Sequence, residues 1–515
     1  MLFNSWQFIF VFFPATALLF FLVPASFRLG RKVVLIVASL AFYGYWKIEY
    51  VPLLVGSIIV NYALAEGIIR PPRPLTSRFL LILGVTLNLL LLGYFKYANF
   101  GLNVVGSILE RDFPPIDVIL PLAISFFTFT QLSYLIDVYR DHRVHYRFLD
   151  YSLFIAFFPH LIAGPILRHW EIIPQFLEKK LKSSRDDVGV GVTLFLFGLI
   201  KKVLLADSAA EYANAIYTAA GQSGPLTTFD AWLGTIAFGF QIYFDFSSYS
   251  DMAIGLARIF GIKFPANFNS PYRATSVIAF WERWHMTLTR FLREYVYYSL
   301  GGNRRGQLRQ AFNIMITMLL SGLWHGAGWT FIVWGALHGT YLLIAHQWRL
   351  FVQHRRWNLE NRLCRGAGIL LTYLAVLFAW IFFRAPNFGV ATKVLSSMTA
   401  RQGMTMPQNM ISPHGFWDRI LPHLGVHYIP TSIDGVGRYD NAIYLMLFLF
   451  FICVAMPNSQ QMINRYDPLL TPVDRPSFFN LKIDWKLGLS LGFLCFLVVR
   501  YSSAAAPTPF IYFHF

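Results

Sequence analysis

Hydrophobic and polar positions alternate along this chain in blocks rather than residue by residue. Predominantly apolar runs at 8–23, 33–45, 51–69, 79–95 and 442–456 approach the roughly 20 residues that a bilayer-spanning helix needs. No single soluble core buries so many runs, so the pattern predicts an all-α polytopic membrane protein. Between the runs, basic residues gather at every second connection. Arg28, Arg31 and Lys32 follow the first span, Arg70, Arg73 and Arg78 the third, and Arg140, Arg143 and Arg147 a fifth span that ends before Arg140. The alternate connections are nearly neutral, with Lys47 and Glu49 in one and Glu110, Arg111 and Asp112 in the other. Excess Lys and Arg mark cytoplasmic loops, which places the N-terminus outside. That terminus has no basic n-region and no small-residue cleavage site, so the first run is expected to remain as a helix rather than leave as a signal peptide.

Two stretches depart from simple crossing. Only the short apolar segment 148–167 separates the basic cluster ending at Arg147 from the next basic stretch, 168–187. Its "FFPHLIAGPILR" carries Pro159, Gly164 and Pro165, which break helices and suit a re-entrant turn. The apolar run 312–323 has 12 residues, about 18 Å of helix against a hydrocarbon core of about 30 Å. The run 331–345 is also short, and basic clusters close both ends: Arg304, Arg305 and Arg309 before, Arg349, Arg355 and Arg356 after. The expectation is a hairpin whose apex, "SGLWHGAGW", holds His325 near mid-bilayer. Ahead of it, "VIAFWERWHMTLTRFLREYVYYSL" sets Trp281, Trp284, Leu288, Phe291, Leu292 and Tyr295 on one helical face and Glu282, Arg283, Arg290, Arg293 and Glu294 on the other. That predicts one amphipathic helix at the interface.

The tally is about ten crossings plus two re-entrant hairpins, both termini outside, in a single membrane domain. Residues 1–145 supply N-terminal spans, 148–345 a catalytic core, 395–440 a polar external loop and 441–515 C-terminal spans. There is no internal repeat and no separate soluble domain.

Composition sharpens this. The 515 residues are 56% hydrophobic and 13% charged, with 51 Phe, 26 Tyr and 14 Trp, far from a soluble average. A net charge of +17 could signal nucleic acid, but its position in alternate loops attributes it to orientation, so no nucleic-acid partner is expected. Cys364, Cys453 and Cys495 stand far apart, giving neither a disulfide framework nor zinc spacing.

Ionisable groups at membrane depth are candidates for function. His325 combines depth with Gly322, Gly326 and Gly328 for close backbone approach and Trp324 and Trp329 as walls; a core histidine bonded to a carbonyl is the alternative. His285 falls in line with Trp281, Leu288 and Leu292 and so points inward, either to pack or to act. In "YFDFSSYSDMAIG", Asp245 and Asp251 interrupt an apolar span. They bind a cation, pair with Arg, orient an imidazole, or mark a helix break with Asp251 capping the next helix. His142 and His145 lie in a polar loop and read as surface, with no metal site expected. The chain has no phosphate loop, no GxGxxG fingerprint, no HExxH pair and no GxSxG elbow. A histidine without a protein nucleophile suits direct transfer, in which neutral imidazole takes a proton from an acceptor hydroxyl attacking an activated acyl donor.

The segments "LGYFKYANFG" (92–101), "FFPHLIAGPILR" (157–168), "QIYFDFSSYSDMAIGLA" (241–257), "FWERWHMTLTRFLREYVYYSLGGNR" (280–304), "MLLSGLWHGAGWTFIVWGALHG" (318–339) and the final "FIYFHF" resemble, in order and spacing, the membrane-bound O-acyltransferases. The resemblance is to their alginate O-acetyltransferase branch. It covers residues 1 to about 390 and the last spans; residues 395–440 resemble nothing placed. By that resemblance, the histidine of "LWHG" is catalytic, His325, and that of "RWHMTL" is its companion, His285. It implies helices ringed around a central funnel in the bacterial inner membrane. It also implies acetyl-CoA as a cytosolic donor drawn by the basic face at Arg273, Arg283, Arg290, Arg293 and Arg304, with no permanently bound cofactor. Trp281, Trp324, Asp245 and Asp251 complete the expected substrate-binding set. The implied partners are membrane lipids, periplasmic acetyl-transfer proteins and an exopolysaccharide, alginate-like or cellulose-like. The rivals are an acyltransferase for teichoic acid, peptidoglycan or a lipid, and a proton-coupled transporter or flippase, which would show inverted repeats.

Overall fold

The computed structural model describes the chain except residues 71–73, 142–143, 179–180, 360, 402, 411–420, 431–432, 434, 472–479, 505–508 and 512–515. The protein is a polytopic helical membrane protein. Among the described residues, Ile48–Ile69, Leu75–Leu109, Arg185–Ala220 and Arg362–Arg384 are long and apolar enough to cross a membrane, and Gln7–Leu22, Tyr439–Ala455 and Trp485–Val498 are shorter apolar helices. The chain forms two compact units, one of residues 1–199, 248–267 and 459–514, the other of 200–247 and 268–458.

In the first unit, Val51–Ile69, Pro74–Leu92 and Ile124–Arg140 pack together. Asn61 and Asn88 exchange side-chain amide bonds between two of these helices, the shorter at 2.6 Å. Without water, such polar pairs hold membrane helices in register. Lys32 and Asp150 form a buried ion pair. The segment 148–167 is broken as its Pro and Gly predict, into Phe148–Ala156, Phe158–Leu161 and a turn. A methyl group at Gly164 would sit 2.4 Å from the His160 backbone, so only glycine closes that turn. Of the terminal "FIYFHF", Phe510 meets the Tyr249 ring edge-on at 4.9 Å; residues 512–515 lie outside the described residues.

The second unit contains the hairpin. Its arms are the helices Gly306–His325, 20 residues, and Trp329–Arg355, 27 residues. They exceed the apolar runs because the backbone stays helical through Gln307, Arg309 and Gln310, where hydropathy falls. The first arm is therefore about 30 Å long at roughly 1.5 Å per residue, so shortness is not what makes this a hairpin. Glycine packing is. Added methyl groups would lie 2.2 Å from the Phe331 carbonyl oxygen at Gly322, 2.4 Å from that of Met318 at Gly335, and 2.9 Å from Met315 Sδ at Gly339. These contacts nest antiparallel about the turn at 326–328.

Three further expectations change. The span around Asp245 and Asp251 is one unbroken 32-residue helix, Thr228–Ile259, so Asp251 caps nothing. The amphipathic stretch is two helical pieces, Val277–Trp281 and Met286–Phe291, the second running into a π-helical turn, Leu292–Tyr297. The break falls at His285, which adopts a left-handed backbone with φ of 40°. Finally, the expected loop 395–440, taken with the ten residues before it, is more than a polar connection. It includes the helix Phe388–Met398 and the parallel strands Met404–Pro407 and Val426–Ile429, tied to the start of Thr228–Ile259 by Thr405 Oγ1 accepting from Thr228 N at 2.9 Å.

Candidate active site

His325 ends the first arm of the hairpin, and Gly326 turns the chain away in extended backbone. Phe331 lies against Gly326 so closely that an added methyl would fall 2.1 Å from its ring. The imidazole is 3% exposed. Three rings meet it edge-on: Trp324 at 4.8 Å, Trp334 at 5.0 Å and Phe383 at 5.2 Å. The last comes from the helix Arg362–Arg384, which thereby closes the apex from a third side.

His285 is fully buried and meets Phe246 edge-on at 4.6 Å. A non-glycine residue held at positive φ stores strain of about 1–3 kcal/mol, a feature that concentrates at functional sites. Trp324 lies 6.1 Å from His285 and 4.8 Å from His325. One indole thus joins the two predicted histidines, 40 residues apart in the chain, in a single aromatic cluster. Trp281 stands in the same cluster, 5.9 Å from Trp334.

Beside this cluster opens a cavity of about 370 Å³, lined in part by Trp281, Arg293, Tyr297, Asn303, Gln310 and His346. Its wall is polar and carries both signs of charge, Arg293 and Glu282, beside the carboxamides of Asn303 and Gln310, while Trp281 forms its boundary with the aromatic layer.

The remaining expected residues divide. Asp245 pairs with Lys202 at 2.7 Å, and the same ammonium reaches Asp207 at 2.8 Å. Asp251 belongs to the other unit, where it accepts from Ser459 Oγ and Gln460 Nε2. The Arg273 guanidinium donates to the Cys453 carbonyl at 3.0 Å and to that of Met456, satisfying the C-terminal end of Tyr439–Ala455. Arg283 donates to the Asn269 carbonyl at 3.3 Å, and Arg290 is half-buried on Met286–Phe291. His145 lies 3.0 Å from Glu66 Oε1, and His142 is outside the described residues.

Two residues of this region went unread in the sequence. Lys202 is the partner of Asp245, and the signal for it was the pair Lys201–Lys202 inside "FLFGLIKKVLL". His338, in "WGALHG", is fully buried 4.8 Å from Trp334; its signal was its place four residues after a tryptophan on an otherwise apolar helix.

Residues 76–384 match the family model of the membrane-bound O-acyltransferases. The chain is 36% identical to a peptidoglycan O-acetyltransferase of Helicobacter pylori, covering 100% of this chain and 98% of that one. It is 41% identical to a probable alginate O-acetylase of Azotobacter vinelandii over 77% of this chain and 78% of the relative, and 36% identical to that of Pseudomonas putida over the full length of both. This chain belongs to the membrane-bound O-acyltransferase family and is an acyltransferase. That membership selects group transfer over the transporter.

Proposed function

We propose that this protein moves an acetyl group from cytosolic acetyl-CoA toward O-acetylation of an envelope or extracellular polysaccharide, with His325 as general base. It works in the inner membrane, with both termini on the periplasmic side. The observation that carries the reading is the convergence of His325 and His285 about Trp324, next to a cavity with Arg293 at its wall. An imidazole in its neutral form accepts a proton, which is the task the reading gives His325.

The chemistry follows from that geometry. Neutral His325 takes the proton of an acceptor hydroxyl as its oxygen attacks the thioester carbonyl. The carbon–sulfur bond breaks, the thiolate takes the proton back from imidazolium, and an ester and free CoA leave. The acceptor hydroxyl belongs to the glycan itself or to a periplasmic partner that passes the acetyl on. The phosphates of the donor would stay at the basic face of Arg283, Arg290, Arg293 and Arg304, leaving the thioester to reach inward.

The full-length matches support two acceptors equally. The Helicobacter pylori relative is named for peptidoglycan and the Pseudomonas putida relative for alginate, both at 36% identity. An alginate-like or cellulose-like exopolymer is the first reading and peptidoglycan the second. In a strain carrying His325→Ala, acetate released by mild alkali from each purified polymer should fall to background for the true acceptor alone, at unchanged polymer yield and membrane abundance of the protein. Wild-type acetylation of every polymer in that strain would remove His325 from the chemistry.

A further inference from the structure

The layer between the cavity and His325 contains more polar capacity than packing uses. His338 has no exposed surface, and neither of its ring nitrogens has a hydrogen-bond partner among the described residues. The same holds for the indole nitrogens of Trp281 and Trp334, both buried. These atoms are neighbours. The His338 ring lies 4.8 Å from Trp334 and 5.2 Å from Trp281, meeting both edge-on, and stacks on Phe280 at 6.2 Å. Buried polar atoms are nearly always paired in native proteins, so four unpaired ones in one spot call for a common explanation.

Their order in space supplies it. Trp281 lines the 370 Å³ cavity. Behind it stand His338 and Trp334, and Trp334 meets His325 at 5.0 Å. Ring contacts run without a gap from the cavity through Trp281 and Trp334 to His325, with His338 against both indoles, and a thioester donor with its charged end in the cavity and its acyl carbon at His325 would lay its connecting arm along them. In acetyl-CoA that arm carries amides. Neutral imidazole offers one N–H donor and one acceptor, and each indole offers a donor. That set complements an amide N–H and its carbonyls and contains no charge to hold a phosphate.

We propose that His338, with the indole N–H groups of Trp281 and Trp334, binds the amide-bearing arm of the thioester donor and so positions it for His325. This rests on the acyl-donor reading above. His338 contacts substrate but not the reacting atoms, so it sets donor affinity rather than the chemical step.

The test is donor kinetics in inverted membrane vesicles from the producing strain, reading thiol release. His338→Phe keeps an aromatic ring of similar size and loses both hydrogen bonds. It should raise KM for acetyl-CoA about tenfold or more, the scale of one or two lost neutral hydrogen bonds, with kcat within about twofold and membrane abundance unchanged. His338→Asn, which keeps a donor and an acceptor, should recover most of the affinity. S-acetyl-2-mercaptoethanol, a thioester without amides, should be used equally by wild type and His338→Phe. An unchanged KM for acetyl-CoA in His338→Phe, or equal losses with both donors, overturns the assignment while leaving acetyl-CoA as donor. If wild-type vesicles release no CoA from acetyl-CoA, the donor reading falls and this inference with it.

Discussion

Lys202 holds its charge at 2% side-chain exposure because Asp207 and Asp245 compensate it at 2.8 and 2.7 Å. The two carboxylates are not equivalent: Asp207 is 17% exposed and Asp245 only 4%. Breaking a buried pair costs about 3–5 kcal/mol because a charge is left uncompensated. Asp245→Ala leaves Lys202 with Asp207, so its cost should sit near the low end, about 3 kcal/mol. Lys202→Met should cost more, since it removes the ammonium from both carboxylates at once, including the more deeply buried Asp245. The double variant Lys202→Met with Asp245→Leu should be more stable than either single one. Thermal unfolding in detergent checks the order, and a double variant less stable than Lys202→Met would show that the pair is not what stabilises this site. The sequence made Asp245 visible as an anomaly and left its partner open among a cation, an arginine and an imidazole. Its true partner lies 43 residues away, beyond the reach of local periodicity. His338 escaped for a related reason. In the apolar run 331–345 a histidine has no polar stripe to belong to or violate, and only the neighbouring rings from Val277–Trp281 and Arg362–Arg384 reveal where it stands.

The hairpin illustrates what an element can and cannot disclose before folding. Hydropathy located both arms and the glycine apex, and it misjudged their lengths because a helix continues through polar residues that hydropathy discounts. The amphipathic stripe of 277–300 correctly assigned an inward side to Trp281, Trp284, Leu288 and His285, all buried except for traces. It gave no sign of the left-handed turn at His285, since side-chain spacing says nothing about one backbone dihedral. Glycine spacing along the hairpin now makes a sharper prediction. At Gly335 an added methyl would fall 2.4 Å from the Met318 backbone oxygen, which moves only if the arms part. At Gly339 the obstacle is the sulfur of Met315 at 2.9 Å, on a flexible side chain. Gly335→Ala should therefore destabilise by about 1–3 kcal/mol or more through overpacking and displace the apex, with acetyl transfer falling in step. Gly339→Ala should be nearly neutral, the helical preference of alanine offsetting the small shift. Thermal unfolding paired with thiol release from acetyl-CoA distinguishes them, and equal behaviour of the two variants would remove close packing as the reason for these glycines.

At the scale of the molecule, the alternation of basic and neutral connections is reproduced by contacts that no charge count could supply. Arg28 donates to the carbonyls of Leu177 and Glu178, and Arg31 to that of Leu181. Tyr62 donates to the Tyr146 carbonyl at 3.0 Å, and Arg258 pairs with Asp187 at 2.8 Å. The arginine bonds tie the basic connection at 28–32 and the end of Thr228–Ile259 to residues 177–187, and the Tyr62 bond ties the basic connection at 140–147 to Val51–Ile69. Tyr50 donates to the Ile119 carbonyl at 2.7 Å, joining the two neutral connections to each other. The arrangement is self-consistent as a topology whichever way it faces, and the excess of Lys and Arg then chooses the direction. Single cysteines at exposed positions decide it, in a background where Cys364, Cys453 and Cys495 are replaced by serine or alanine. Glu49→Cys and Arg111→Cys should react with a membrane-impermeant maleimide on spheroplasts, whereas Lys182→Cys and Arg185→Cys should react only after the membrane is opened. The reversed pattern would place the basic connections of the first unit outside and overturn the orientation proposed above. Mixed labelling within either pair would break the topology itself, since each pair belongs to connections read as lying on one side.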